Sequence, residues 1–206
     1  VADQNWVSSL VPGPHASGAG TVLNTAATAT ISPNWSNVAS GSDVVQIAAA
    51  PFGWQPGLLL RVRARGFITT TATSTTATFF LRANKSNLAT SQTFVTLATT
   101  AGITTGTAVL TGVQWRLDAD IRCTAVAPTG STVSTQGEIR FENNATAPSL
   151  SATTNGVVLA APLPATSGET AAAVDTTLLQ GIGLAATLAA ATATIQLTQW
   201  LVEALD

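Results

Sequence analysis

The sequence predicts an all-β domain of sandwich type, and three observations carry that expectation. Thr and Ala account for 35 and 37 of the 206 residues, and the Thr and Val enrichment favours strands, where β-branched side chains pack well. Many segments alternate apolar and polar residues with the period of two that a half-buried strand requires. Turn signals recur at spacings suited to a domain built of many short strands. A chain of this length buries a core without help from disulfides or metals.

The elements follow in order. Residues 1–20 read as an extended arm, with Pro12, Gly13, Pro14, Gly18 and Gly20 opposing regular structure and Trp6, Val7, Leu10 and Val11 as its only apolar anchors. Residues 21–206 read as one β-sandwich domain. Strands are expected at 21–31, 43–49, 57–70, 75–83, 92–97, 107–127, 133–142, 156–160, 174–181 and 185–202. In Leu58–Phe67, Arg61, Arg63 and Arg65 share one face and Leu60, Val62 and Ala64 the other, because successive strand side chains point to opposite sides. In 113–125, Val113, Trp115, Leu117, Ala119, Ile121 and Cys123 form an apolar face, and Arg116, Asp118, Asp120 and Arg122 the opposite one. Glu138, Arg140 and Glu142 alternate with Ile139 and Phe141.

Two hairpins are expected. The first turns through Ala127–Val133. Centred on Gly130, it sets Arg122 opposite Glu138, Asp120 opposite Arg140, and Asp118 opposite Glu142. That last pair is repulsive unless a third strand intervenes, and Arg61, Arg63 and Arg65 are the available cations. Such cross-strand pairs contribute roughly 0.2–1 kcal/mol each and act mainly on register. The second hairpin joins Gly66–Ile68 to Ala77–Arg82 through a Thr-rich tip at 69–76. Phe79, Leu81 and Ala83 then alternate with Phe80 and Arg82, so both faces are partly apolar, as in a strand buried against a second sheet or subunit. Residues 143–173 read as loop around one short strand. The C-terminal segment mixes helical spacing (Leu184, Leu188, Ala191, Ile195) with strand alternation over Thr192–Thr198. Its β-branched content and a turn at Gly181-Ile182-Gly183 favour a strand.

Charge is sparse and clustered. Only 9% of residues are charged, and the net charge is −2. All eight basic residues lie between Arg61 and Arg140, so residues 61–140 carry +5, residues 1–60 carry −2 and residues 141–206 carry −5. The central strands are therefore expected to hold one cluster of ion pairs. A net negative chain argues against nucleic acid as a partner. No apolar run approaches the ~20 residues of a membrane-spanning helix, and the first residues lack the basic and apolar regions of a signal peptide. Cys123 is the single cysteine, which excludes an internal disulfide and allows a reducing compartment. With His15 it makes too small a ligand set for structural zinc. No metal or cofactor is expected.

Candidate chemistry is thin. His15 sits in a Pro/Gly/Ser loop with no nucleophile motif beside it. Asp118 and Asp120 are paired carboxylates, but Arg116 and Arg122 flank them on the same face, and neutralisation by arginine is the simpler reading than catalysis. Of the five tryptophans, Trp115 falls in the core pattern. Trp35 and Trp54 lie in turn-like contexts, where they would either plug the ends of the sandwich or stack on a sugar. The sequons at Asn34, Asn84 and Asn144 are no more than a chain rich in Ser and Thr produces by chance.

Low charge and many strand edges are features of a surface made for association, and an arm of this composition stays ordered only when tied down, for which a neighbouring chain is the expected anchor. The extended start VADQNWVSSLVPGPHASGAG, the Thr/Ala-rich FITTTATSTTATFFLRAN and the closing strand IQLTQWLVEAL resemble the small jelly-roll accessory proteins of tailed bacteriophages, namely capsid decoration (cement) proteins and related head or tail proteins. The resemblance covers most of the chain and lies in texture and strand layout rather than in an invariant motif. It implies a jelly-roll-like antiparallel β-sandwich with an extended N-terminal arm. It also implies a non-enzymatic homotrimer on the capsid surface of a virion, assembled in the bacterial cytoplasm, with the major capsid protein as partner. Trp6, Val7, Leu10 and Val11 would then form the capsid-binding arm. Arg61, Arg63, Arg65, Asp118, Asp120, Arg122, Glu138 and Arg140 would form ion pairs between strands or subunits. The alternative is a receptor- or glycan-binding module of a tail or fibre that uses Trp35 or Trp54. A hydrolase of cell-wall sugars built on Asp118 and Asp120 is a more distant third.

Overall fold

The computed structural model of the chain describes residues 7–8, 23–32, 45–47, 50, 53–85, 94–105, 109–142, 159–166, 168–178 and 180–205. Their regular structure is all β. The strands are β1 (Val7–Ser8), β2 (Thr28–Thr30), β3 (Val45–Ile47), β4 (Leu59–Thr70), β5 (Thr76–Lys85), β6 (Phe94–Thr99), β7 (Ile103–Thr104), β8 (Leu110–Cys123), β9 (Val133–Glu142), β10 (Leu159–Leu163), β11 (Thr170–Ala172), β12 (Gln180–Leu188) and β13 (Ala193–Leu205). The first sheet runs β1-β13-β4-β8-β9-β10, with β11 also on β9. The second runs β2-β12-β5-β6, with β3 also on β12 and β7 also on β5.

This order has a simple origin. The pairs β1–β13, β2 and β3 with β12, β4–β8 and β5–β6 are all antiparallel. They are the pairs made by one long ribbon whose two arms run side by side from the chain ends to a tip at β5–β6. Rolling that ribbon lays β13 on β4 and β12 on β5, both also antiparallel. The result is a jelly roll, a double-sheet sandwich of two Greek keys. Strands β9, β10 and β11 are an insertion after β8 that widens the first sheet alone.

The core lies between the sheets and is filled by the inward residues that strand alternation selects. From the first sheet come Leu60, Val62 and Ile68 of β4, Trp115, Leu117 and Ile121 of β8, Ile139 and Phe141 of β9, and Trp200 and Val202 of β13. Ala77, Phe79, Leu81 and Ala83 of β5 face them with Ile182, Leu184 and Leu188 of β12. Phe79 bridges the layers, its ring centroid 5.3 Å from Trp115 and 6.1 Å from Phe141. Gly66 stands opposite Trp115 in the β4–β8 register. A β-carbon there would lie 1.9 Å from the Gln196 carbonyl oxygen and 2.5 Å from the Trp115 ring, so the indole occupies space that only glycine leaves.

Several expectations change. The hairpin expected between 66 and 82 is a crossover: β4 belongs to the first sheet and β5 to the second. Both edges of β4 are taken, by β13 and β8, so β5 has no edge on which to fold back. The C-terminal segment is strand, as expected, but it is two strands in different sheets joined by a second crossover at 189–192. The two crossovers run side by side. The Thr71 N–H donates to the Thr192 carbonyl at 2.9 Å, and the Ala189 N–H to the Thr76 carbonyl at 2.9 Å. Threonine hydroxyls complete the lacing: the Ala190 N–H donates to Thr75 Oγ1 at 2.9 Å and the Thr75 N–H to Thr105 Oγ1 at 2.9 Å. Buried backbone groups that leave a ladder need such partners, which gives the threonine content a structural use beyond strand propensity.

Gly181-Ile182-Gly183 is not a turn but lies inside β12, paired with Asn84, Ala83 and Arg82 of β5. The strand expected at 174–181 is mostly connection. The Val174 N–H donates to Thr132 Oγ1 at 2.8 Å and the Ala127 N–H to Thr176 Oγ1 at 2.9 Å, so this stretch is tied by side chains rather than by a ladder. Within 143–173, the described residues hold two short strands on the β9 edge rather than one.

Candidate functional site

The charged side chains of the first sheet gather on its outer face. Strands β4, β8, β9 and β13 together carry Arg61, Arg63, Arg65, Arg116, Asp118, Asp120, Arg122, Glu138, Arg140, Glu142 and Glu203. They point outward because their neighbours one residue along are buried: β8 alternates Trp115, Leu117, Ala119, Ile121 and Cys123 inward with the charged set outward. Registry then arranges them in rows across the strands. One row is Arg61–Asp120–Gln136, the next Arg63–Asp118–Glu138, and the next Arg65–Arg116–Arg140.

The β8–β9 register differs from the one expected from Gly130. Arg122 faces Ser134, Asp120 faces Gln136, Asp118 faces Glu138, and Arg116 faces Arg140. The loop is longer and centred nearer Pro128, with the Thr124 N–H donating to the Thr132 carbonyl at 2.8 Å. Gly130 has a left-handed φ of 93°, but it sits toward the end of the loop. Thr176 sets the loop's shape by binding both the N–H and the carbonyl of Ala127. The slip is four residues along β9, and an even slip leaves every side chain on its original face. The face was therefore readable from alternation, and the partners were not.

β4 supplies the intervening cations. Arg61 Nε donates to Asp120 Oδ1 at 3.1 Å. Arg63 lies 3.7 Å from Asp118 Oδ1 and 3.6 Å from Glu203 Oε2. Glu138 pairs with Arg140, two residues along its own strand. The hydrogen bond that Arg61 donates to Asp120, and then the Asp120 charge, raise the Arg61 pKa above the ordinary guanidinium value. Arg65 and Arg122 make no ion pair with another strand among the described residues, because the register gives them Arg116 and Ser134 as neighbours. Glu203 enters the cluster unforeseen. Its signal in the sequence is weak, a lone acid in an apolar closing strand, and only the β13–β4 pairing brings it opposite Arg61.

A groove of about 650 Å³ crosses this face. Its floor is Arg61, Arg63, Asp118, Asp120, Gln136 and Glu138, and the β10 residues Ala160 and Pro162 form part of its wall. No aromatic ring lines it among the described residues.

The remaining candidates separate. Trp54 is buried, 1% exposed, so it plugs the sandwich and offers no platform for a sugar. Trp115 is buried as expected. Cys123 is buried, and burial pushes its thiol pKa up. Of the arm, Val7 lies in β1, paired with Glu203 of β13. Trp6, Leu10, Val11, His15, Asn34, Trp35 and Asn144 lie outside the described residues.

The outer face of the second sheet is different in kind. Arg82 lies with its guanidinium carbon 5.0 Å from the Phe80 ring centroid and 5.6 Å from that of Phe94. Burial lowers its pKa, and its Nε is covered without a hydrogen-bond partner. No family model, curated protein or solved structure matches this chain.

Proposed function

We propose that the chain is a non-enzymatic structural protein of a bacteriophage virion, a capsid decoration protein that binds the head as a homotrimer. The observation that carries this reading is the strand order. A jelly roll with β1, β13, β4 and β8 in one sheet and β2, β12, β5 and β6 in the other is an architecture used by viral capsid domains, as well as by lectins and cupins. Because one fold serves many functions, two further features are needed to favour the virion among these. The N-terminal strand Val7–Ser8 pairs with β13 of its own chain at the end of the first sheet, and the outer edge it presents is one on which a partner strand can add. The second sheet presents an outer face with little charge, the property of a surface made for association.

In this reading each arm contributes backbone hydrogen bonds and apolar anchors to the shell, and three linked arms raise effective affinity without new kinds of contact. The groove on the first sheet, lined by charged groups and without an aromatic ring among the described residues, gives little support to the rival glycan-binding module, and Trp54 is buried. The test is removal of residues 1–18, followed by measurement of native mass and of occupancy on phage heads. A trimer that no longer binds heads is the expected result. Full occupancy by the truncated protein, or co-purification with tails alone, would overturn the proposal.

A further inference from the structure

The third row of the charged face contains no acid. Arg65 of β4, Arg116 of β8 and Arg140 of β9 stand directly opposite one another in the two registers. Like charges placed opposite across a ladder are destabilising, so a row of three needs counter-charge. Of the neighbouring carboxylates, Asp120 is taken by Arg61, and Asp118 and Glu203 by Arg63, while Glu138 reaches into the row but pairs with Arg140 alone. Arg65 and Arg116 are left without an ion pair among the described residues, and Arg116 Nε is covered with no hydrogen-bond partner.

Beside these two arginines lies a depression of about 260 Å³ lined by Arg65, Arg116, Gln114, Glu142, Thr198 and Gln199. It exists because β13 bulges there, its register with β4 shifting between Leu197 and Gln199. The bulge turns Thr198 so that its hydroxyl donates to the Arg65 carbonyl at 3.1 Å. Bulges commonly re-aim side chains at sites of this kind. The depression is smaller than the roughly 300–1,000 Å³ of a pocket for a drug-sized ligand, and its size fits a single small group.

We infer that this depression is an oxyanion site, in which Arg65 and Arg116 grip a carboxylate or phosphate group. The guanidinium fork matches the paired oxygens of either group and binds them bidentately. Gln114 and Gln199 add amide donors at the rim. Glu142 is the internal competitor: it lines the same depression and forms no ion pair of its own among the described residues. The site does not depend on the virion reading, because it rests on side chains of β4, β8, β9 and β13 and not on the arm or on any partner.

The experiment is a calorimetric and NMR titration of the full chain with two probes, inorganic phosphate and a short peptide of alternating Asp and Gly. Saturable binding of phosphate identifies a free small oxyanion as occupant, and saturable binding of the peptide alone identifies an acidic segment of a partner. Either result supports the site, provided Arg116→Gln weakens binding by about tenfold or more, the scale of one lost hydrogen bond to a charged group. Arg116→Lys should keep part of the affinity and Glu142→Gln should raise it. Arg122→Gln, a change on the same face outside the row, should leave it unaltered, and unchanged melting temperatures would establish that the variants are folded. The inference is overturned if neither probe saturates, or if Arg122→Gln weakens binding as much as Arg116→Gln.

Discussion

The two outer faces of the sandwich come from one chain and one strand pattern, yet they solve opposite problems. The strands of the first sheet carry eleven charged residues, and those of the second carry two, Arg82 and Lys85. On the first face most charges have a counter-charge on a neighbouring strand or on their own, and the outward row is wetted. On the second, the Arg82 guanidinium lies between two rings and loses water without gaining an acid. The contrast shows where the few charges of this protein act. They mark the register of one sheet and leave the other nearly neutral.

The largest effects should come from what couples the faces. Phe79→Ala removes the ring that joins β5 to Trp115 and Phe141, and should cost about 3–5 kcal/mol in urea-induced unfolding. A loss near zero would mean that the sheets are held together elsewhere. Next comes Gly66→Ala, whose methyl would be driven into the Gln196 carbonyl and the Trp115 ring. Overpacking of this kind costs about 1–3 kcal/mol or more, and an unaltered denaturation midpoint would contradict the tight fit of β4 beneath the indole.

The charge contrast itself predicts smaller responses that differ in salt dependence. Asp120→Asn breaks the best pair of the first face. Both partners are about a third exposed, so screening limits the loss to about 0.5–1 kcal/mol, and the loss should shrink in high salt. Arg82→Leu on the second face exchanges an unpaired, partly desolvated cation for an apolar side chain. It should cost no more than about 0.5 kcal/mol, with little salt dependence, since the lost cation–π contacts with Phe80 and Phe94, worth about 0.5–1 kcal/mol, are offset by relief of the guanidinium's desolvation. Equal losses and equal salt dependence for the two variants would erase the distinction between the faces.

Cys123 should give the smallest signal. Burial raises its pKa in the folded chain above the unfolded value. The stability it confers as a neutral thiol is therefore full below the ordinary thiol range and is lost as pH rises through the raised folded value. A shallow alkaline decline in stability that Cys123→Ala flattens is the expected result. Ready alkylation of the native protein near neutral pH would contradict the burial.

Period-two alternation was enough to determine much of this protein. It assigned Leu60, Val62, Trp115, Leu117 and Ile121 to the core and Arg61, Arg63, Asp118 and Asp120 to the opposite face, because a strand side chain has only two directions to choose from. It also located β4, β8 and β9 within a few residues. It did not determine partners. A slip of four residues along β9 keeps every face intact, so Gly130 misled the pairing of Asp118, Asp120 and Arg140 without disturbing the alternation. Nor could local pattern distinguish the turn of a hairpin from a crossover at 71–75, since that depended on β13, more than a hundred residues away, occupying the edge of β4. Burial of Trp54 and the recruitment of Glu203 are of the same kind. Tertiary structure alone decided them, because which edge is free and which side chain lies beneath a ring are properties of the rolled ribbon as a whole.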